Sequence, residues 1–323
     1  MKIVKQSGVI VNLDLNNPQK YIERIGRICY KSEDRITNDS NKAFVKMLYD
    51  NKHHAMLEHY RFIMQIREDI YMALSAVRPK HFEFTNTEYK GEQRFVISFN
   101  ARALMNLADD CIASHVGILP MVIRNLQNEL IGHIIREYGC RELFGYGEDD
   151  KLPLLSTATK FIENSADAMN ESEWSKHGWF SAHMVTDRGI THEIVRHREE
   201  TSFAQESTRY CNYNNGKFGG EITVIDQGFD GTRRAYWQSA CEQAESMYND
   251  LIHTDLQAQW ARSVLPTCTK AEIVMTAPIY EWRHFFNLRL RGKAGTPHPL
   301  MQELALQVYD NAKEVEFLKG GSL

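Results

Sequence analysis

Apolar residues recur at helical spacing in several stretches of the chain. In residues 17–31, Tyr21, Ile22, Ile25 and Ile28 repeat behind Pro18, which predicts a helix. Residues 40–51 predict a second, with Ala43, Phe44, Met47 and Leu48 on one face. Residues 100–110 and 120–138 read as amphipathic helices, 232–259 as a long one and 300–317 as the last. Residues 271–291 read as helical for most of their length. Strands are expected at the N-terminus, at 61–66, twice within 82–99, at 179–185, where apolar and polar residues alternate, and at 222–225. Between these lie a His-rich turn at 53–59 and loops at 145–153 and 212–221. Asp187-Arg188-Gly189 turns the chain into a short helix over 190–198, and 293–299 breaks the helical pattern. The expected class is α+β, helix-rich with a central antiparallel or mixed sheet.

Composition narrows the possibilities. The 323 residues suffice for one large domain or two ordinary ones. With 43% hydrophobic and 25% charged residues, the chain has the make-up of a soluble globular protein. Its net charge of −4 argues against a general nucleic-acid binder. No apolar run approaches the roughly 18 residues of a membrane span. The first fifteen residues lack a signal-peptide core, so a cytoplasmic protein is expected. Cys29, Cys111, Cys140, Cys211, Cys241 and Cys268 are scattered with no Cys-x-x-Cys pair, the pattern of small buried hydrophobes.

The densest chemistry lies at residues 196–210, which read RHREETSFAQESTRY. Three guanidinium groups and an imidazole fall within fourteen positions, among hydroxyls and amides. Arginine grips phosphate or carboxylate as a planar fork and stays charged at any working pH. The segment therefore reads as the floor of a site for a phosphorylated small molecule. A solvated helix face, with Glu199, Glu200 and Glu206 neutralising the arginines, is the alternative. A nucleic-acid-binding module using the same arginines with Tyr210, Tyr213 and Phe203 for stacking is another. No Gly-rich phosphate loop, dinucleotide fingerprint or Gly-x-Ser-x-Gly elbow occurs, so arginine side chains would have to hold any phosphate. Arg188, Arg262, Arg283, Arg289 and Arg291 add to that inventory. Neither His53, His54 and His59 nor the pair His192 and His197 has helical metal-ligand spacing, so no metal is expected.

Arg196, His197, Arg198, Ser202, Ser207 and Arg209 resemble the Arg-His-Arg-x-x-Ser-x-Asn/Ser-x-x-Ser-x-Arg signature of flavin-dependent thymidylate synthases. One extra residue lies between Arg198 and Ser202, and Ala204 fills the Asn/Ser place. Further segments are similar to the family in the same order: Cys29-Tyr30-Lys31-Ser32, His53 through Leu57-Glu58-His59, Arg188 through Val195, Arg262 through Pro266, and Trp282 through Arg289. About a hundred residues, approximately 68–177, have no counterpart and read as an insertion within a single catalytic domain, packed on the surface or at a subunit contact.

The resemblance implies the family's fold and the reductive methylation of dUMP to dTMP. Methylenetetrahydrofolate would give the carbon, and NADPH the electrons through FAD. It also implies a homotetramer with active sites shared between subunits. By carry-over, dUMP would meet Arg188, Glu193, Ile194, Val195, Arg196, Gln205, Glu206, Ser207, Thr208, Arg209, Arg262 and Arg289. Arg289 would be catalytic, beside the uracil ring. FAD would meet His53, Ala55, Arg196, His197, Arg198, Gln205, Tyr280 and His284. Pro278 and Tyr280 stand where the family often has Asn and Arg. A family member that has lost activity is the remaining alternative.

Overall fold

The computed structural model describes residues 1–12, 15–113, 120–151, 159–161, 169–207, 213 and 221–313. Two short strands, β1 (Lys2–Val4) and β2 (Ser7–Ile10), open the chain where one was expected. The side chain of Asn17 accepts the Lys20 N–H and Pro18 takes the first turn of α1 (Pro18–Tyr30). Tyr21, Ile22, Ile25 and Ile28 are all buried, and Lys31 ends the helix at φ 49°. In α2 (Ser40–Asp50) the buried face is Phe44, Val45 and Leu48; Ala43, expected on it, is exposed. The two helices pack so closely that a Cβ on Gly26 would lie 2.7 Å from the Phe44 ring.

A tight helical turn (His54–His59) leads into β3 (Arg61–Ile66). There follow α3 (Glu68–Val77), which the pattern did not reveal, then β4 (Phe82–Tyr89), β5 (Glu92–Asn100), α4 (Ala101–Ala113), α5 (Pro120–Tyr138), β6 (Thr159–Phe161) and α6 (Glu171–His177). β4, β5, β3 and β6 form one antiparallel sheet in that order. Ile97, Phe99, Leu104, Leu107, Ile134 and Leu143 join Tyr21, Ile22, Leu57 and Phe62 in one core. Much of 68–177 is thus part of the interior rather than a surface addition.

The remaining elements are β7 (Trp179–Asp187), α7 (Arg188–Ile194), β8 (Ser202–Gln205), β9 (Thr223–Ile225), α8 (Gly231–His253), α9 (Ala258–Ala261), β10 (Lys270–Pro278), α10 (Ile279–Arg289) and α11 (Pro299–Ala312). A second antiparallel sheet runs β2-β7-β10-β8, and β1 pairs in parallel with β9.

Three expected boundaries move. The helix expected over 271–291 is a strand followed by a helix. Residues 271–277 run Ala-Glu-Ile-Val-Met-Thr-Ala, and β10 is paired on both edges, by β7 and β8. A central strand buried on both faces loses the alternation that marks half-buried strands and reads as a continuous apolar run. The helix expected over 190–198 stops at Ile194, and that over 232–259 stops at His253. The mixed α+β architecture stands, with both four-stranded sheets antiparallel. Among the described residues no helix is long and apolar enough to cross a membrane.

Candidate active site

Asp187 caps α7 by accepting the Ile190 N–H at 2.7 Å, while the Arg188 N–H reaches the Thr267 carbonyl at 3.0 Å. The helix therefore starts at a fixed place on the second sheet. Its Ile190 and Ile194 side chains are in the core, so Ile194 can offer a ligand only its main chain. Beyond Ile194 the chain turns, with the Arg196 N–H on the Glu193 carbonyl and the His197 N–H on that of Ile194. Arg196 and Arg198 consequently face out on either side of a buried His197. Neither guanidinium has an ion-pair partner among the described residues.

Arg289, at the last position of α10, comes to this turn from the other side. Its Nε–H donates to His197 Nε2 at 3.1 Å, its Nη1 to Glu193 Oε2 at 2.8 Å and its Nη2 to the Glu193 carbonyl at 3.2 Å. His197 Nδ1 lies 3.3 Å from Glu281 Oε1. The imidazole meets Phe285 edge-on at 5.0 Å and His284 at 5.6 Å. Ligand atoms of His197, Glu281 and His284 lie within 4.8 Å of one another, a spacing a metal could use. A metal needs an imidazole lone pair, and that of His197 already accepts from Arg289. Glu281 escaped the sequence reading. Its one signal is an acid three residues before His284 on an otherwise aromatic and basic helix.

The signature strand sits beside this network. The Gln205 amide donates to the Thr191 hydroxyl at 3.1 Å. Glu206 is held within the fold: its N–H donates to the Glu272 carbonyl, and its carboxylate lies 3.5 Å from Lys31 Nζ and 3.3 Å from Lys270 Nζ. Glu272 pairs with the same two lysines and accepts from His183 Nε2 at 2.9 Å. Burial alone would raise its carboxyl, but His183, Lys270 and Lys31 hold it well below the usual carboxylate range. Ser207, two residues past β8, is half-buried, and Thr208 and Arg209 lie outside the described residues. Val195 is half-buried on the turn, Arg262 is exposed, and Arg188 is half-buried with its Nη1 lacking a hydrogen-bond partner among the described residues.

The proposed flavin residues are more dispersed. His53 and Ala55 are exposed at the head of the turn before β3, with His53 Nδ1 bonded to the Tyr30 hydroxyl. That turn is tied to the signature strand, because the Ser202 hydroxyl donates to the Glu58 carbonyl at 3.4 Å. His284 is exposed beside His197. Tyr280 is half-buried, and burial together with the Glu83 and Glu200 carboxylates pushes its phenol well above the usual range. No hydrogen bond among the described residues links His53, Ala55 or Tyr280 to Arg289.

Comparison with known proteins bears on this arrangement. The family model described as thymidylate synthase complementing protein matches residues 11–90 and 135–316. A flavin-dependent thymidylate synthase of Pyrococcus abyssi is 33% identical over 109 residues, which is 33% of this chain and 44% of that protein. One from Geobacter sulfurreducens is 31% identical over 106 residues, 32% of this chain and 43% of that protein. The chain thus spans under half the length of these curated relatives. The crystal structure of the UMP/dUMP methylase PolB from Streptomyces cacaoi, bound with 5-Br dUMP, overlaps 95% of this chain and 90% of that one at a TM-score of 0.36 and 14% identity. The family model covers most of the chain, across α1, the turn before β3, the Arg-His-Arg turn and α10, so this protein belongs to the thymidylate synthase complementing protein family.

Proposed function

We propose that the protein is a flavin-dependent thymidylate synthase, converting dUMP to dTMP with methylenetetrahydrofolate as carbon donor and NADPH as reductant. The observation that carries this reading is the Arg-His-Arg turn: two exposed guanidiniums, without an ion-pair partner among the described residues, flank a buried imidazole that engages Arg289. Exposed arginines with no carboxylate partner among the described residues suit the phosphate of a nucleotide and the pyrophosphate of FAD. The donor set therefore fits the cofactor. Arg196, Arg198, His53, Ala55, Gln205, Tyr280 and His284 would hold it, and His197 would contribute its ring, since both its nitrogens are engaged. When bound, FAD supplies the redox step.

For dUMP, Arg188, Arg196, Arg209 and Arg262 would bind the phosphate, with Gln205, Ser207 and Thr208 fixing its orientation. Glu193 and Val195 would line the site, and Ile194 and Glu206 would contribute main-chain atoms only. Arg289 would lie at the pyrimidine and favour loss of the N3 proton, which makes C5 a better nucleophile. A fixed cation beside a developing negative charge lowers the barrier without reorganisation. No enzyme nucleophile is required. Burial pushes the Cys29 and Cys241 thiols up to about 12, so neither supplies a thiolate near neutrality. The break in the family match between residues 90 and 135 supports reading part of 68–177 as an insertion within one catalytic domain. A homotetramer fits the large side chains left exposed at Tyr236, Met247 and Trp260, on α8 and α9.

The test is dTMP formation by the purified protein given dUMP, methylenetetrahydrofolate, NADPH and FAD, with each omitted in turn. Product should depend on all four. Arg289→Ala should lower turnover by at least about 100-fold while the protein keeps its flavin spectrum. Undiminished turnover in that variant would remove Arg289 from the chemistry.

A further inference from the structure

We propose that Glu281, acting through His197, is a positioning residue for Arg289. This role rests on the reading of Arg289 as the group that faces the pyrimidine. The chain of contacts has a fixed polarity. Arg289 Nε can only donate, so His197 Nε2 must carry a lone pair. The neutral imidazole then bears its proton on Nδ1, where Glu281 Oε1 accepts it. With the opposite tautomer, two N–H groups would point at each other between His197 and Arg289.

Glu281 and Arg289 lie eight residues apart on α10, about 12 Å along the helix axis. Neither could fix the other directly. His197 comes from a different segment and bridges the two over the edge of Phe285. Glu281 is 3% exposed and His197 4%, so water does not compete for these bonds. Glu193 holds the other side of the guanidinium through Nη1 and Nη2. Among the described residues three of the five Arg289 N–H groups are thereby engaged, which leaves two for acceptor oxygens of a ligand. A neutral imidazole orients the cation without cancelling its charge, which a second carboxylate in direct contact would do.

Glu281 also stands in the first turn of α10, where a carboxylate favours the helix N-terminus. That accounts for an acid there, but not for its burial against His197. The experiment separates the two roles.

The flavin-loaded full-length protein, labelled with 15N-histidine, would be compared as wild type, Glu281→Ala and Glu281→Gln. Wild type should show His197 protonated on Nδ1 with Nε2 hydrogen-bonded. Glu281→Gln, whose amide oxygen still accepts, should keep that signature, and Glu281→Ala should lose it. Wild-type His197 protonated on Nε2, or an unchanged signature in Glu281→Ala, would overturn the proposal. In turnover, Glu281→Ala should lower kcat about 10- to 100-fold, by analogy with the loss when the hydrogen-bond partner of a metal-ligating histidine is removed. Glu281→Gln should recover most of this, and Glu281→Ala should add nothing in an Arg289→Ala background. Additive losses would make Glu281 a merely structural acid. If wild type makes no dTMP, the thymidylate synthase reading fails on its own, and the histidine spectra still decide the tautomer.

Discussion

Single side chains show how this interior treats ionisable groups. His177 is fully buried between the Ser98 and Thr85 hydroxyls at 2.9 and 2.8 Å. Burial, with Arg61 and Lys176 nearby, lowers it to about 3, and burial lowers His59 to about 4. Both imidazoles are neutral when folded but take a proton near pH 6.5 when unfolded. Their contribution is therefore complete above about pH 6.5 and is lost as pH falls from there towards the folded values, at up to about 1.4 kcal/mol per pH unit for each. Urea unfolding at pH 7, 6 and 5 should show stability falling with pH, and His177→Gln should flatten the slope. An equally steep slope in that variant would place the acid sensitivity elsewhere.

At the scale of elements, β10 and α10 form one continuous device. The strand crosses the middle of the second sheet and Pro278 ends it, because proline cannot donate to the ladder. α10 then carries Glu281, His284 and Arg289 back towards the turn after α7. An error in strand position would pass directly to Arg289. Ile273 is fully buried between Met184 and Gln205 on the flanking strands. Ile273→Ala should cost about 2–5 kcal/mol in chemical unfolding. If the proposed function holds, it should also raise the KM for dUMP, because β10 sets where α10 begins.

At the scale of the whole molecule, a charge cluster joins parts far apart in sequence. Lys31 at the end of α1, Glu206 just after β8, and Lys270 and Glu272 on β10 meet with side chains 2–20% exposed. Such a group adds little net stability relative to an apolar core, but removing one member strands the others. Glu272→Ala should therefore destabilise by about 3–5 kcal/mol, visible in a thermal melt, whereas a Glu272→Ala/Lys270→Met double variant should regain part of the loss. The central region follows the same logic of integration: β5 and β6 flank β3, so excising 68–177 would open the N-terminal core.

Local pattern alone determined the helices with one apolar stripe, such as α1 and α11, and the strand at β3, since periodicity and caps act over a few residues. It also placed the arginine-rich signature. It failed where neighbours decide the state: β10, whose two-sided burial erased its alternation, and the end of α7, where the chain turns so that His197 can enter the core. Glu281 was invisible as a partner, because nothing in the sequence relates residue 281 to residue 197. Hydrogen-bond polarity, burial of a tautomer and the meeting of α10 with the turn after α7 are properties of the packed chain. Those, rather than residue types, give Arg289 its orientation.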